Sequence, residues 1–89
     1  MTTVFSYNPP KSPLKIIHID SSVVVLNKPS GLLTVPGKPK THSDCLLSRL
    51  RREVFGALLV HRLDLGTSGV IIFARTASSQ VYLNKQFEI

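Results

Sequence analysis

The sequence predicts an α/β chain of the α+β type: a mixed, mainly antiparallel sheet with flanking helices packed on one side. Three observations carry that expectation. Short β-branched runs recur along the chain and are joined by tight turn compositions, and two other stretches switch to helical spacing. The 89 residues are 43% hydrophobic and 18% charged, the balance of a chain that folds around a core. At this length one domain buries a modest fraction of its surface and has little stability in reserve for a deep cleft, so the chain is expected to be part of a larger folding unit.

The elements follow in order. Residues 1–13 read as an irregular N-terminal arm because "YNPPKSP" (7–13) is dense in proline. "LKIIHID" (14–20) and "SVVVLNK" (22–28) are two strands, and the turn composition Asp20-Ser21-Ser22 between them favours an antiparallel pair. "KPSGLLTVPGKPKTH" (28–42) contains too many prolines and glycines for a helix or an interior strand, and is expected to be a long ordered loop or a basic flap. A helix then begins with Ser43 or Asp44 as its cap, with Leu46, Leu47 and Leu50 on an apolar side, Arg49, Arg51 and Arg52 solvated, and Gly56 as its stop. "ALLVHRL" (57–63) and "GVIIFAR" (69–75) are two further strands with "DLGTS" as their corner. "ASSQVYLNKQFE" (77–88) returns to helical spacing through Val81 and Phe87, with Ser78 or Ser79 near its start.

Several function classes are disfavoured by what the residues lack. No apolar run approaches the roughly 20 residues of a membrane span, and the first residues do not show the basic, apolar and small-residue zones of a secretory signal. Cys45 is the only cysteine, so an internal disulfide and a thiolate-rich metal site are excluded, and a reducing, cytoplasmic setting is expected. His18, His42 and His61 lack the spacing of a zinc site, and no metal is expected. "NKPSG" lacks the spacing of a phosphate-binding loop, there is no GxGxxG, and Ser68 is not in a GxSxG turn.

Charge points the other way. Eleven Lys and Arg against five Asp and Glu give a formal net charge of +6, which favours polyanionic partners, nucleic acid foremost, while a merely solvated basic surface is the plainer alternative. Lys28, Lys38, Lys40, His42, Arg49, Arg51 and Arg52 cluster around the Pro/Gly-rich stretch. Of these, Lys28, Lys38, Arg49 and Arg52 are candidates to follow a sugar-phosphate backbone, which they would position against without specifying sequence. A solvated helix face accounts for the three arginines equally well.

"VHRLDLGTSGVIIFA" (60–74) holds the candidate chemistry. Residues i and i+2 of a strand share a face, so Arg62 and Asp64 emerge together at the strand end while His61 and Leu63 face away. Gly66 and Gly69 suit a tight corner, with Thr67 and Ser68 placed to hydrogen-bond it. Two readings stand on these residues alone: an ion pair that fixes a turn, or a functional acid.

"HRLD" and "TSG" followed by "VIIFARTA", with "VVVLNKPSGLLTVPG" about thirty residues before, resemble the RluA family of pseudouridine synthases over nearly the whole chain, and within it the compact members that lack an S4-like module. The resemblance implies a pseudouridine synthase fold of which residues 14–89 are the N-terminal portion. It implies Asp64 as the catalytic residue, Arg62 as the group that opens the RNA stack and fills the place of the flipped-out base, and the turn Gly66, Thr67, Ser68 and Gly69 as support for the aspartate. Lys28, Pro29 and Gly31 are a family signature of more architectural character. The implied partner is structured RNA, ribosomal or transfer RNA; the implied reaction is redox-neutral and needs no cofactor. The family also uses a tyrosine that packs on the target base and a basic partner for the aspartate, both in later motifs. Tyr82 does not match the first, so the 89 residues alone are expected to be nearly silent in catalysis, and to associate through an open sheet edge if they associate at all. The rival reading is a basic RNA-binding piece without chemistry.

Overall fold

The computed structural model describes residues 6–38 and 40–88. Four strands, β1 (Lys15–Ile19), β2 (Val23–Lys28), β3 (Leu58–Leu59) and β4 (Gly69–Ala74), form one sheet in the order β1-β2-β4-β3. Every pairing is antiparallel. Two helices accompany them, α1 (Leu46–Glu53) and α2 (Ala77–Phe87), with a single 3-10 turn at Lys40–His42.

The β1–β2 turn forms as its composition predicts. Asp20 Oδ1 accepts the backbone N–H groups of Ser22 and Val23 at 2.8 and 2.9 Å, an arrangement that short carboxylate side chains favour in turns. Those two bonds and the His18 imidazole, 2.9 Å from Asp20 Oδ2, hold the Asp20 carboxyl down at about 2, with the histidine contributing most. β1 slips register between Ile16 and His18, an irregularity typical of edge strands.

The core is set by two-residue alternation. Val24 and Leu26 of β2 lie opposite Phe73 and Ile71 of β4, and all four are fully buried. Leu46, Leu47 and Leu50 of α1 complete the cluster with Leu32, Cys45, Val54 and Ala57. Lys28 keeps the inward parity of Val24 and Leu26, and it too is fully buried.

The cap of α1 differs from the expected one, while α2 begins beside Ser78 and Ser79 as expected. α1 is capped by Cys45, whose sulfur accepts the Ser48 N–H at 3.4 Å while the Ser48 hydroxyl receives the Cys45 N–H at 3.1 Å. Asp44 is occupied elsewhere: its carboxylate receives Arg49 Nε and Nη2 at 2.8 and 2.7 Å. α2 is capped by Thr76, with Ser79 completing the box. The third predicted strand, 57–63, shortens to Leu58–Leu59. Continued register would set Val60 against Ile72, but the Ile72 N–H is received instead by His61 Nε2 at 3.1 Å, so a ring nitrogen takes the place of a strand carbonyl.

Candidate active site

Asp64 therefore lies on an unpaired segment, residues 60–64, and not at the end of a paired strand. Its expected exposure to a groove is observed. Leu33, Thr34, Val35, Arg62, Leu63, Asp64 and Leu65 line an open depression of about 400 Å³, with both Arg62 and Asp64 exposed. The alternation that a strand would impose survives without the strand, since Leu63 packs against the core between them.

What shapes this segment is the Pro/Gly-rich stretch, which is a packed loop and not a flap. Thr34 Oγ1 donates to the Leu63 carbonyl at 2.8 Å and accepts the Leu63 N–H at 3.2 Å. Beyond the aspartate, the Gly31 N–H donates to the Leu65 carbonyl at 2.8 Å, and the Ser30 hydroxyl donates to the Gly66 carbonyl at 2.8 Å. Within the turn the Thr67 N–H closes back onto the Asp64 carbonyl at 3.0 Å. Gly31 has φ +90°, in the left-handed region where a side chain is strained. Its N–H is thereby turned to meet the 64–67 turn.

Lys28, grouped by charge with the phosphate-binding cations, is corrected here. Its ammonium is buried and donates to the carbonyls of Pro29 at 2.9 Å and Leu65 at 3.3 Å. Burial pushes its pKa down and the nearby Asp64 charge partly offsets that. A lysine in that position braces the aspartate turn and supplies local positive potential; it does not reach a phosphate from the surface. Arg49 is likewise largely buried and bound to Asp44, and its hydrogen bonds to that carboxylate raise its pKa. Arg51, expected to be solvated, keeps its exposure but donates through Nε to the Ala57 carbonyl at 2.9 Å. Lys38 and Arg52 remain exposed.

Of the turn residues, Gly69 adopts φ +142°, whereas Gly66 does not use a left-handed backbone and Thr67 contributes through its N–H. Among the described residues the hydroxyls of Thr67 and Ser68 form no hydrogen bond, so the support anticipated from within the turn comes from Ser30, Gly31 and Lys28 across the loop. Sequence reasoning missed Thr34 and Tyr7. The Tyr7 hydroxyl accepts the Leu33 N–H at 3.0 Å and donates to the Asp44 carbonyl at 2.7 Å, which ties the N-terminal arm to the loop; burial raises its pKa. The available signal was a hydroxyl inside the apolar run "GLLTV".

Among the described residues no His/Cys/Asp/Glu group is arranged to hold a metal ion, and no helix is long and apolar enough to cross a membrane. The Arg62 guanidinium and the Asp64 carboxylate have no hydrogen bond or ion pair to another described residue, which leaves a cation and an anion facing one groove while the backbone beneath them is fixed.

The chain is similar to known proteins. The sequence profile of the RNA pseudouridylate synthase family matches residues 22–89. The chain is 47% identical over 83 residues to the dual-specificity RNA pseudouridine synthase RluA of Escherichia coli (strain K12), covering 92% of this chain and 38% of that protein. It is 42% identical over 86 residues to RluA of Vibrio parahaemolyticus, covering 96% and 34%. Among solved structures, human RNA pseudouridylate synthase domain containing 4 superposes with a TM-score of 0.64 at 30% identity, over 82% of this chain and 29% of that one. The chain thus spans less than two fifths of the length of the curated relatives it matches.

Proposed function

From the premise that this chain belongs to the RNA pseudouridylate synthase family, we propose that the whole protein isomerises uridine to pseudouridine in structured RNA, ribosomal and transfer RNA, in the cytoplasm. Asp64 is the catalytic carboxylate and Arg62 the residue that occupies the vacated stack. Residues 14–89 are then the N-terminal portion of the catalytic domain. The observation that carries the reading is the pair itself: Arg62 and Asp64 are exposed on one groove, with their charged groups unengaged, on a backbone held by the separate 28–34 loop.

The chemistry suits a carboxylate. The bond from the sugar to uracil nitrogen breaks, a bond from the same sugar carbon to uracil carbon forms, and one proton leaves that carbon as another is gained at nitrogen. Atoms and electrons balance without an oxidant, a reductant or a metal. Carboxylates as a class are anionic at neutral pH. Such a group can attack the sugar carbon, stabilise its developing positive charge, or take a sugar proton; all three need an exposed, anchored anion. The target must first leave its stack, at about a few kcal/mol, and a guanidinium beside the carboxylate is suited to fill the gap and to meet the adjoining phosphate. Lys38 and Arg52 supply sequence-independent phosphate attraction.

The test is release of tritium from carbon-5-labelled uridine in RNA. In the whole protein, Asp64→Asn is expected to lower turnover by on the order of 10⁴-fold while RNA affinity stays nearly unchanged, because phosphate contacts supply most of the binding. A purely RNA-binding module would instead be indifferent to Asp64→Asn and sensitive only to charge reversal at Lys38 or Arg52.

A further inference from the structure

We infer that Thr34 is a positioning residue for the reaction, its hydroxyl setting the outward aim of Arg62 and Asp64 by holding Leu63 at both backbone groups. The inference rests on the reading of Asp64 as the catalytic carboxylate. Leu63 belongs to the unpaired segment 60–64, so no neighbouring strand receives its N–H or donates to its carbonyl. Thr34 Oγ1 does both, at 3.2 and 2.8 Å, acting as a one-residue β-bridge made by a side chain. Only a group that donates and accepts from one atom can do this, which is what a hydroxyl provides.

Thr34 is itself immobilised. It is 2% exposed, and its carbonyl, like that of Leu33, receives an N–H from the first turn of α1, from Leu47 at 3.1 Å and Leu46 at 2.7 Å. A line of hydrogen bonds therefore runs from the α1 N-terminus through residues 33–34 to Leu63. Lys28, Ser30 and Gly31 grip residues 65 and 66, downstream of the aspartate. Upstream, among the described residues, no other side chain hydrogen-bonds the backbone of residues 62–64. Leu63 is held against the core by its side chain and by both backbone groups, while its neighbours Arg62 and Asp64 are exposed, the alternation expected of successive side chains that point to opposite sides. Release of Leu63 would let that segment rotate, and the distance between Arg62 and Asp64 would no longer be set.

Turnover and RNA affinity of Thr34→Val, Thr34→Ser and Asp64→Asn in the whole protein, each expressed per folded molecule, decide it. Thr34→Val keeps the shape and loses the hydroxyl. It is expected to lower kcat by about 10- to 100-fold, the scale of a displacement near 1 Å at a catalytic group, with RNA affinity nearly unchanged, and Thr34→Ser is expected to restore kcat. A role confined to stability would reduce the folded fraction and leave kcat per folded molecule intact. Should Thr34→Val fail to fold, Thr34→Ala, which makes room for a water, is judged on the same two quantities. Parental kcat in the valine variant, or the alanine variant in its place, overturns the inference, as does a serine variant as slow as that variant. If Asp64→Asn is inactive in the same experiment, the reading of the aspartate survives that failure; if Asp64→Asn turns over normally, both fall.

Discussion

Helix α2 and the Asp64 loop both lie at the surface, and they are held by opposite means. α2 is regular over eleven residues and opens with a complete capping box. It nevertheless buries none of its side chains, and Val81, Tyr82 and Phe87 are 56%, 64% and 47% exposed. Its ties to the rest are few: Gln80 Nε2 donates to the Leu59 carbonyl at 2.9 Å, Ser79 Oγ to the Ser22 carbonyl at 2.8 Å, and Phe87 stacks on His61 at 4.2 Å. The Asp64 loop has no regular structure, yet residues 63–67 are bonded by Thr34, Lys28, Gly31, Ser30 and the turn's own N–H. Secondary structure and rigidity are thus decoupled here. A helix without a buried face depends on propensity and caps, whereas a loop whose carbonyls at residues 63–66 are all engaged is fixed wherever the groups that hold them are fixed.

The comparison can be broken most visibly by large-to-small substitutions. Phe73→Ala, in the sheet that supports the loop, is expected to cost about 3–5 kcal/mol, and Val81→Ala on α2 under about 0.5 kcal/mol, both read from urea unfolding. A comparable loss at both positions would show that α2 contributes to the same packed unit. A smaller effect sharpens the account of the loop. Gly31→Ala forces a side chain onto φ +90°, where the nearest contact, Pro10 Cδ at 3.6 Å, is an ordinary one. The expected loss of about 1–2 kcal/mol is then conformational. Gly66→Ala, which meets nothing within 4 Å, should stay within about 0.5 kcal/mol of the parent. Equal effects at the two glycines would remove the special role given to residue 31.

The smallest expected effect is a pH dependence. Burial lowers the His61 pKa below its ordinary 6.5, and a ring that accepts the Ile72 N–H at Nε2 must be neutral. As pH falls through about 6.5 the unfolded chain gains a proton that the folded chain refuses, so stability is lost over the interval down to the lowered folded value and levels off beneath it. His61→Gln should flatten that part of the profile. An unchanged slope would mean that His61 titrates alike in both states.

How far the sequence reaches is clearest at residues 24–28. The alternation that places Val24 and Leu26 inside also places Lys28 inside, so its burial was readable from parity; charge drew it to the surface because a lysine is rarely buried unless carbonyls are waiting for it. Arg62 and Asp64 were legible for the same reason, since the alternation of exposure persists through residues 62–64 although they are unpaired. The length of the 57–63 strand was not legible. Its loss turns on one imidazole that intercepts a backbone N–H, a tertiary event with no local signal. The α1 cap fell to a similar competition, with Asp44 drawn to Arg49 and Cys45 left to serve the helix. That the loop 28–34 and the turn 64–67 form one unit could be suspected from the two motifs occurring together, but the bonds that join them link residues about thirty positions apart.

Amide hydrogen exchange, residue by residue, tests that unit most directly. The N–H groups of Gly31 and Leu63, bonded to Leu65 and Thr34 across the two motifs, are predicted to exchange more slowly than those of Leu83 and Asn84 in the middle of α2, and at rates close to those of Leu26 and Phe73 in the core strands, because opening them requires opening the core. Fast exchange at Gly31 and Leu63 beside a protected α2 would contradict the account.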